Sequence, residues 1–186
     1  MASVITFAFS PAVLSAITFA TLLYPHIISS LFVICLSFAT FLPLMMIYGL
    51  SKLGLISDFF VSEREQRTTP LLGAIVSYLV GGLVLWALKA PGVVTALMFC
   101  YVGNTLVMLL ITRRWKVSVH ASGLAGPATV LILTLGMWAG IFFALLLPVG
   151  WARVRLRAHT PTQVVVGALV TVIATWIQFR VYLLIL

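Results

Sequence analysis

Acidic side chains are nearly missing from this chain. Of 186 residues only three are acidic, and Asp58, Glu63 and Glu65 fall in one short stretch. Catalysis that relies on divalent metals needs carboxylates from separate segments, so any site here is expected to need no metal and no cofactor. Charge of either sign is scarce as well. At 8% charged residues, 63% hydrophobic residues and a mean hydropathy of +1.24, the chain falls far below the roughly 25% charge of soluble domains. Cysteine is limited to Cys35 and Cys100. Both lie inside apolar runs, which suits packing better than a disulfide. The first residues, Met-Ala-Ser-Val-Ile-Thr, carry no Lys or Arg ahead of the apolar stretch, unlike a cleaved signal peptide.

What is present in quantity is apolar sequence. Runs of about 20 residues mark membrane-spanning helices, because hydrocarbon offers the backbone no hydrogen-bond partners. The expected fold is all-α: a polytopic membrane helical bundle of six to seven transmembrane helices, with residues 1–186 forming a single domain. The first span is expected over Ala2–Leu23 and the second over Ile27–Ser51. A polar loop from Ser57 to Thr69 follows, and Pro70 suits the first turn of a third helix ending near Lys89. A fourth helix should run from Val93 to Thr112, and a last one from Pro161 to near Leu186.

The stretch between them decides which residues can meet. Hydropathy alone draws one helix from Pro127 to Pro148. The alternative is a hairpin of two short arms, Val119–Thr134 and Gly136–Ala152, each reaching about 24–26 Å, short of the ~30 Å hydrocarbon core. Gly123, Gly126, Gly136 and Gly140 would let those arms pack closely. A single helix puts His120 and His159 on opposite faces; the hairpin brings them to one.

The net charge of +8 sits in short loops, which favours membrane orientation or an anionic ligand over nucleic acid. With the hairpin, Lys52, Arg64, Arg67, Arg113, Arg114, Lys116, Arg153, Arg155 and Arg157 share one side, against Lys89 and Arg180. That asymmetry places the basic side in the cytoplasm, for a protein of the plasma or inner membrane. Arg153–Gln163 is the most unusual segment, with three arginines and a histidine between two apolar runs. His120 and His159 each begin a predicted helix, where unpaired N–H groups and the positive dipole end attract phosphate. Cations from three loops would complete a site for metal-free phosphoryl transfer.

These residues carry a resemblance. A Ser-Arg, five residues, His, three residues, Asp pattern is met here by Ala152-Arg153, His159 and Gln163. A Pro-Ser-Gly-His pattern is met by Val117-Ser118-Val119-His120. A Lys, six residues, Arg-Pro pattern has only the loose form Arg64-x-x-Arg67-x-x-Pro70, with Lys116 as an alternative source of the lysine. In these features the chain resembles the type 2 phosphatidic-acid phosphatase superfamily, which includes the vanadium haloperoxidases. The resemblance implies a lipid phosphatase in which His159 forms a phosphohistidine and His120 protonates the leaving oxygen. Arg153, Arg67, Arg64, Lys116 and Ser118 would hold the phosphate. Gln163 stands where that family has Asp, one helical turn beyond His159. Its amide can fix the imidazole tautomer without supplying charge.

Other readings of the same residues stay open. Thr160-Pro-Thr-Gln163 is also a capping box. Arg113, Arg114, Arg155 and Arg157 suit headgroup contacts or topology, Arg180 suits snorkelling, and His26 lies apart. The acids can simply balance Arg64 and Arg67. The chain as a whole can be a non-catalytic binder of anionic headgroups. A transporter ranks last, since little beyond Asn104 and Gln178 is polar within the spans.

Overall fold

The computed structural model describes residues 1–26 and 29–186. Ile27, the expected start of the second span, lies outside the described residues. Among those described there are helices and no strands. Five helical stretches are long and apolar enough to cross a membrane, and a sixth is formed if a bent N-terminal pair counts as one. The chain is thus an all-α polytopic helical bundle, compatible with an integral membrane protein.

The first span is broken. α1 (Ala2–Ala8) and α2 (Pro11–Leu23) meet at a 41° bend. Ser10 caps α2, its side chain accepting from Val13 N–H, and Pro11 follows at the first helical position. Proline has no N–H to give to the carbonyl four residues back, and its ring clashes there. Continuous hydropathy over Ala2–Leu23 conceals that break.

α3 (Ser30–Leu36) and α4 (Leu42–Lys52) are joined by a π-helical turn, Ser37–Phe41. Pro43 cannot donate to the Ala39 carbonyl, which instead accepts from Ser15 Oγ of α2 at 3.4 Å. Ser15 and Thr40 also share a 2.8 Å hydrogen bond, pinning α2 to the turn. Beyond it α4 leans on α5 (Thr68–Ala87), and none of its residues is buried.

α6 (Gly92–Thr112) returns to the basic end of the bundle. The hairpin then forms as the glycine pattern suggests: α7 (Val119–Leu135) stops at Gly136, whose φ of +96° bars other residues, and a 3-10 segment, Met137–Leu145, leads into α8 (Leu146–Arg155). One continuous helix over Pro127–Pro148 is therefore excluded. The glycines divide their roles differently from the expectation. A Cβ at Gly123 would strike Pro11 of α2, and one at Gly126 would crowd Asn104 of α6 and Thr171 of α9 (Pro161–Ile185); only Gly140 faces the other arm, at Ile132.

Polar residues inside the spans are used as interhelical bonds, as expected where lipid gives no hydrophobic drive between helices. Asn104 donates to Thr175 at 2.7 Å and accepts from Gln178 at 3.2 Å, tying α6 to α9. Thr171 bonds Ser122 at 2.7 Å, tying α9 to α7.

Candidate functional site

The helix starts carrying the two histidines are built side by side. Ser118 caps α7, with its hydroxyl accepting from Ala121 N–H at 3.3 Å. Its own N–H donates to the Gln163 carbonyl in the first turn of α9 at 3.2 Å. Gly167, one turn further along α9, lies so close that a Cβ there would sit 2.8 Å from the Ser118 carbonyl oxygen. His120 and His159 thereby reach one end of the same cavity, which also takes in Arg67 and Arg153.

These four side chains are 2–7% exposed. Arg67 donates from Nε to the Val61 carbonyl at 2.9 Å, and from its terminal nitrogens to Val117 at 2.8 Å and Ser62 at 3.4 Å. One of those nitrogens also meets His159 Nε2 at 3.5 Å. Arg153 is different: its Nε, like Nε2 of His120, is buried with no hydrogen-bond partner among the described residues. Its guanidinium carbon lies 5.7 Å from the centroid of the Phe60 ring.

No acid neutralises either buried arginine by ion pairing among the described residues. Asp58 spends its carboxylate on the loop, accepting from Phe60 N–H at 2.8 Å and Ser62 N–H at 2.9 Å. Glu65 pairs with Arg64 at 2.9 Å. Glu63 is exposed. A buried guanidinium with no ion-paired acid is costly; Asp58 favours the charged form of both arginines only from a distance.

Gln163 makes both of the contacts expected of it. Its Oε1 accepts from Thr160 N–H at 3.1 Å, closing a capping box, and lies 3.2 Å from His159 Nδ1. A carbonyl oxygen only accepts, so Nδ1 carries the proton and the Nε2 lone pair is turned to the Arg67 guanidinium, which can only donate. Burial, together with Arg67 and Arg153 nearby, pushes the His159 pKa down to about 3. Both causes favour the neutral ring.

The remaining predicted residues fall outside the cup. Arg64 turns away, bound to Glu65 and to the Arg113 carbonyl at 3.3 Å. Ser118 Oγ is occupied as a cap. Lys116 is half-buried and does not line the cavity, though its charge is felt by His159. Sequence reasoning missed Phe60, whose ring meets His120 at 5.7 Å edge-on. The signal was an apolar trio, Phe59-Phe60-Val61, inside an otherwise polar loop.

From this cationic end the cavity, about 550 Å³, extends between α2, α4 and α5 past Ile17, Leu44, Ile47 and Leu71 to Tyr78. Tyr78 lies eleven residues beyond Arg67, about 16 Å deeper along the helix. The cavity thus joins a cationic head to an apolar body. Comparisons with family models, curated proteins and solved structures return no match to this chain.

Proposed function

We propose that this protein is a metal-independent membrane lipid phosphatase. It acts on a phosphomonoester or diphosphate of a lipid, phosphatidic-acid-like or polyprenyl. The observation that carries the reading is the pair of buried guanidiniums of Arg67 and Arg153, neither ion-paired to an acid among the described residues, beside two histidines at the head of an apolar groove. The phosphate sits against both arginines and the lipid chain lies along α2 and α4. His159 Nε2 attacks phosphorus in line and the bond to the lipid oxygen breaks. His120 takes up a proton from water once the bound phosphate offsets the charges of Arg67 and Arg153, and gives it to that oxygen. A water then attacks the phosphohistidine, His120 takes its proton, and inorganic phosphate leaves. The basic loops are assigned to the cytoplasmic side of a plasma or inner membrane by their Lys and Arg excess.

The test is phosphate release in detergent from a panel of lipid phosphates, with EDTA present. His159→Ala is expected to abolish release while leaving the thermal unfolding midpoint in place. Full EDTA-resistant activity in that variant would refute the reading.

Gln163 supports a second reading. Its oxygen fixes the tautomer but brings no negative charge to stabilise an imidazolium, as suits a non-catalytic protein that holds anionic headgroups. That reading predicts binding of the same panel with no turnover.

A further inference from the structure

We propose that Phe60 is a positioning residue of the anion cup, and that the turn Asp58–Ser62 holds its ring against the two groups on which the cup depends. This rests on the anion-binding part of the reading above and not on its hydrolytic step.

The ring lies 5.7 Å from the Arg153 guanidinium carbon and 5.7 Å from the His120 ring centroid. Both partners have a buried nitrogen without a hydrogen-bond partner among the described residues. Hydrogen bonds therefore do not fix how either group faces the cavity at those atoms. The aromatic face attracts the guanidinium, and the ring also lines the cavity, so it shields one side of Arg153 from water.

The turn is built for this at some cost. Asp58 accepts from the N–H groups of Phe60 and Ser62 and from the Ser62 hydroxyl, and its carbonyl accepts from Val61 N–H at 3.0 Å. The result forces Val61 to a φ of +48°, a left-handed conformation that a β-branched residue strongly disfavours. The Val61 carbonyl then takes the Arg67 Nε bond at 2.9 Å. One strained residue thus links the ring over Arg153 to the other cup arginine. A plain apolar plug would need neither the strain nor an aromatic side chain.

The experiment measures binding of inorganic phosphate to the full chain in detergent by calorimetry, together with the NMR signal of the Arg153 Nε–H. Phe60→Leu fills the space but has no ring. It is expected to weaken phosphate binding by about tenfold and to move the Arg153 signal away from its ring-shifted position, with the unfolding midpoint unchanged. Phe60→Tyr should keep affinity within about twofold and keep the shift. Val61→Gly should weaken binding, because relaxing the turn frees the ring.

Wild-type affinity in Phe60→Leu, or equal losses in Phe60→Leu and Phe60→Tyr, would overturn the proposal, as would a wild-type chain that binds no phosphate. Unchanged affinity in Val61→Gly would overturn the role given to the turn. If the phosphate series behaves as expected but no lipid phosphate is hydrolysed, the phosphatase reading fails and this one stands. His159-dependent hydrolysis with an indifferent Phe60→Leu gives the reverse.

Discussion

The N–H of Ser118 donates to the carbonyl of Gln163 at 3.2 Å, so the cap of α7 hangs on the first turn of α9. The two histidines follow from that bond, His120 two residues after the donor and His159 four residues before the acceptor. Their meeting depends on how closely the two helix starts approach.

Gly167 sets that approach. Adding a side chain there brings a Cβ to 2.8 Å from backbone at Ser118, and backbone does not yield as a flexible side chain does. Gly167→Val should cost about 1–3 kcal/mol and reduce phosphate binding along with stability. Gly49→Ala, where a Cβ meets nothing within 4 Å, is the matched control and should not destabilise. Thermal unfolding in detergent, with and without phosphate, compares them.

The acid limb of activity should respond to residue 163. The folded-state pKa of His159, about 3, lies below the ordinary histidine value of 6.5. The unfolded chain therefore binds more protons between those values, and His159 makes stability fall as pH drops from about 6.5 toward 3. Gln163→Glu places a carboxylate at Nδ1 and raises the folded value. Less stability should then be lost over that window, and the acid limb of the rate profile should move to higher pH. A pH–rate profile and midpoints measured from pH 4 to 8 check both.

Arg153 should oppose stability in the absence of ligand. Arg153→Leu removes a buried, unpaired charge and is expected to raise the unfolding midpoint in phosphate-free detergent while abolishing phosphate binding. Added phosphate should raise the wild-type midpoint, since it binds only the folded state, and leave that of the variant unchanged. A variant that unfolds earlier than wild type without phosphate contradicts this account.

The hairpin makes a topological prediction. Single cysteines at Lys116 and Arg157, in a chain with Cys35 and Cys100 replaced by alanine, should be labelled from the same side of the membrane. One at Met137, beside the Gly136 turn, should be labelled only from the other. Labelling of intact and permeabilised vesicles with a membrane-impermeant maleimide reads this directly.

The bundle was legible in the sequence because hydrocarbon leaves few options. Apolar length gave α5, α6 and α9 to within a few residues, and Gly136 marked the hairpin where hydropathy alone ran on. The bend at Ser10–Pro11 was missed, because an unbroken apolar run hides a cap residue followed by proline. Spacing brought Arg67, His120, Arg153 and His159 into consideration, yet could not separate Arg67 from Arg64, three residues apart. That choice is made by the Val117 carbonyl, which takes Arg67 from fifty residues away. The apolar trio Phe59-Phe60-Val61 marked the place of Phe60 but not its role, since its partners are Arg153 and His120 and nothing local names them.

The hydrogen bonds of Arg67 also fix an order of events as the chain is made. Two of its acceptors, Val61 and Ser62, lie six and five residues upstream, so they have left the ribosome before the arginine does. The guanidinium can be carried to the membrane surface already half satisfied. Val117 arrives fifty residues later and His159 later still. Nascent α5 therefore brings its own temporary holder for a charge whose final neighbours do not yet exist. Arg153, synthesised with no such holder, emerges in α8, after α1 to α7 have already been made.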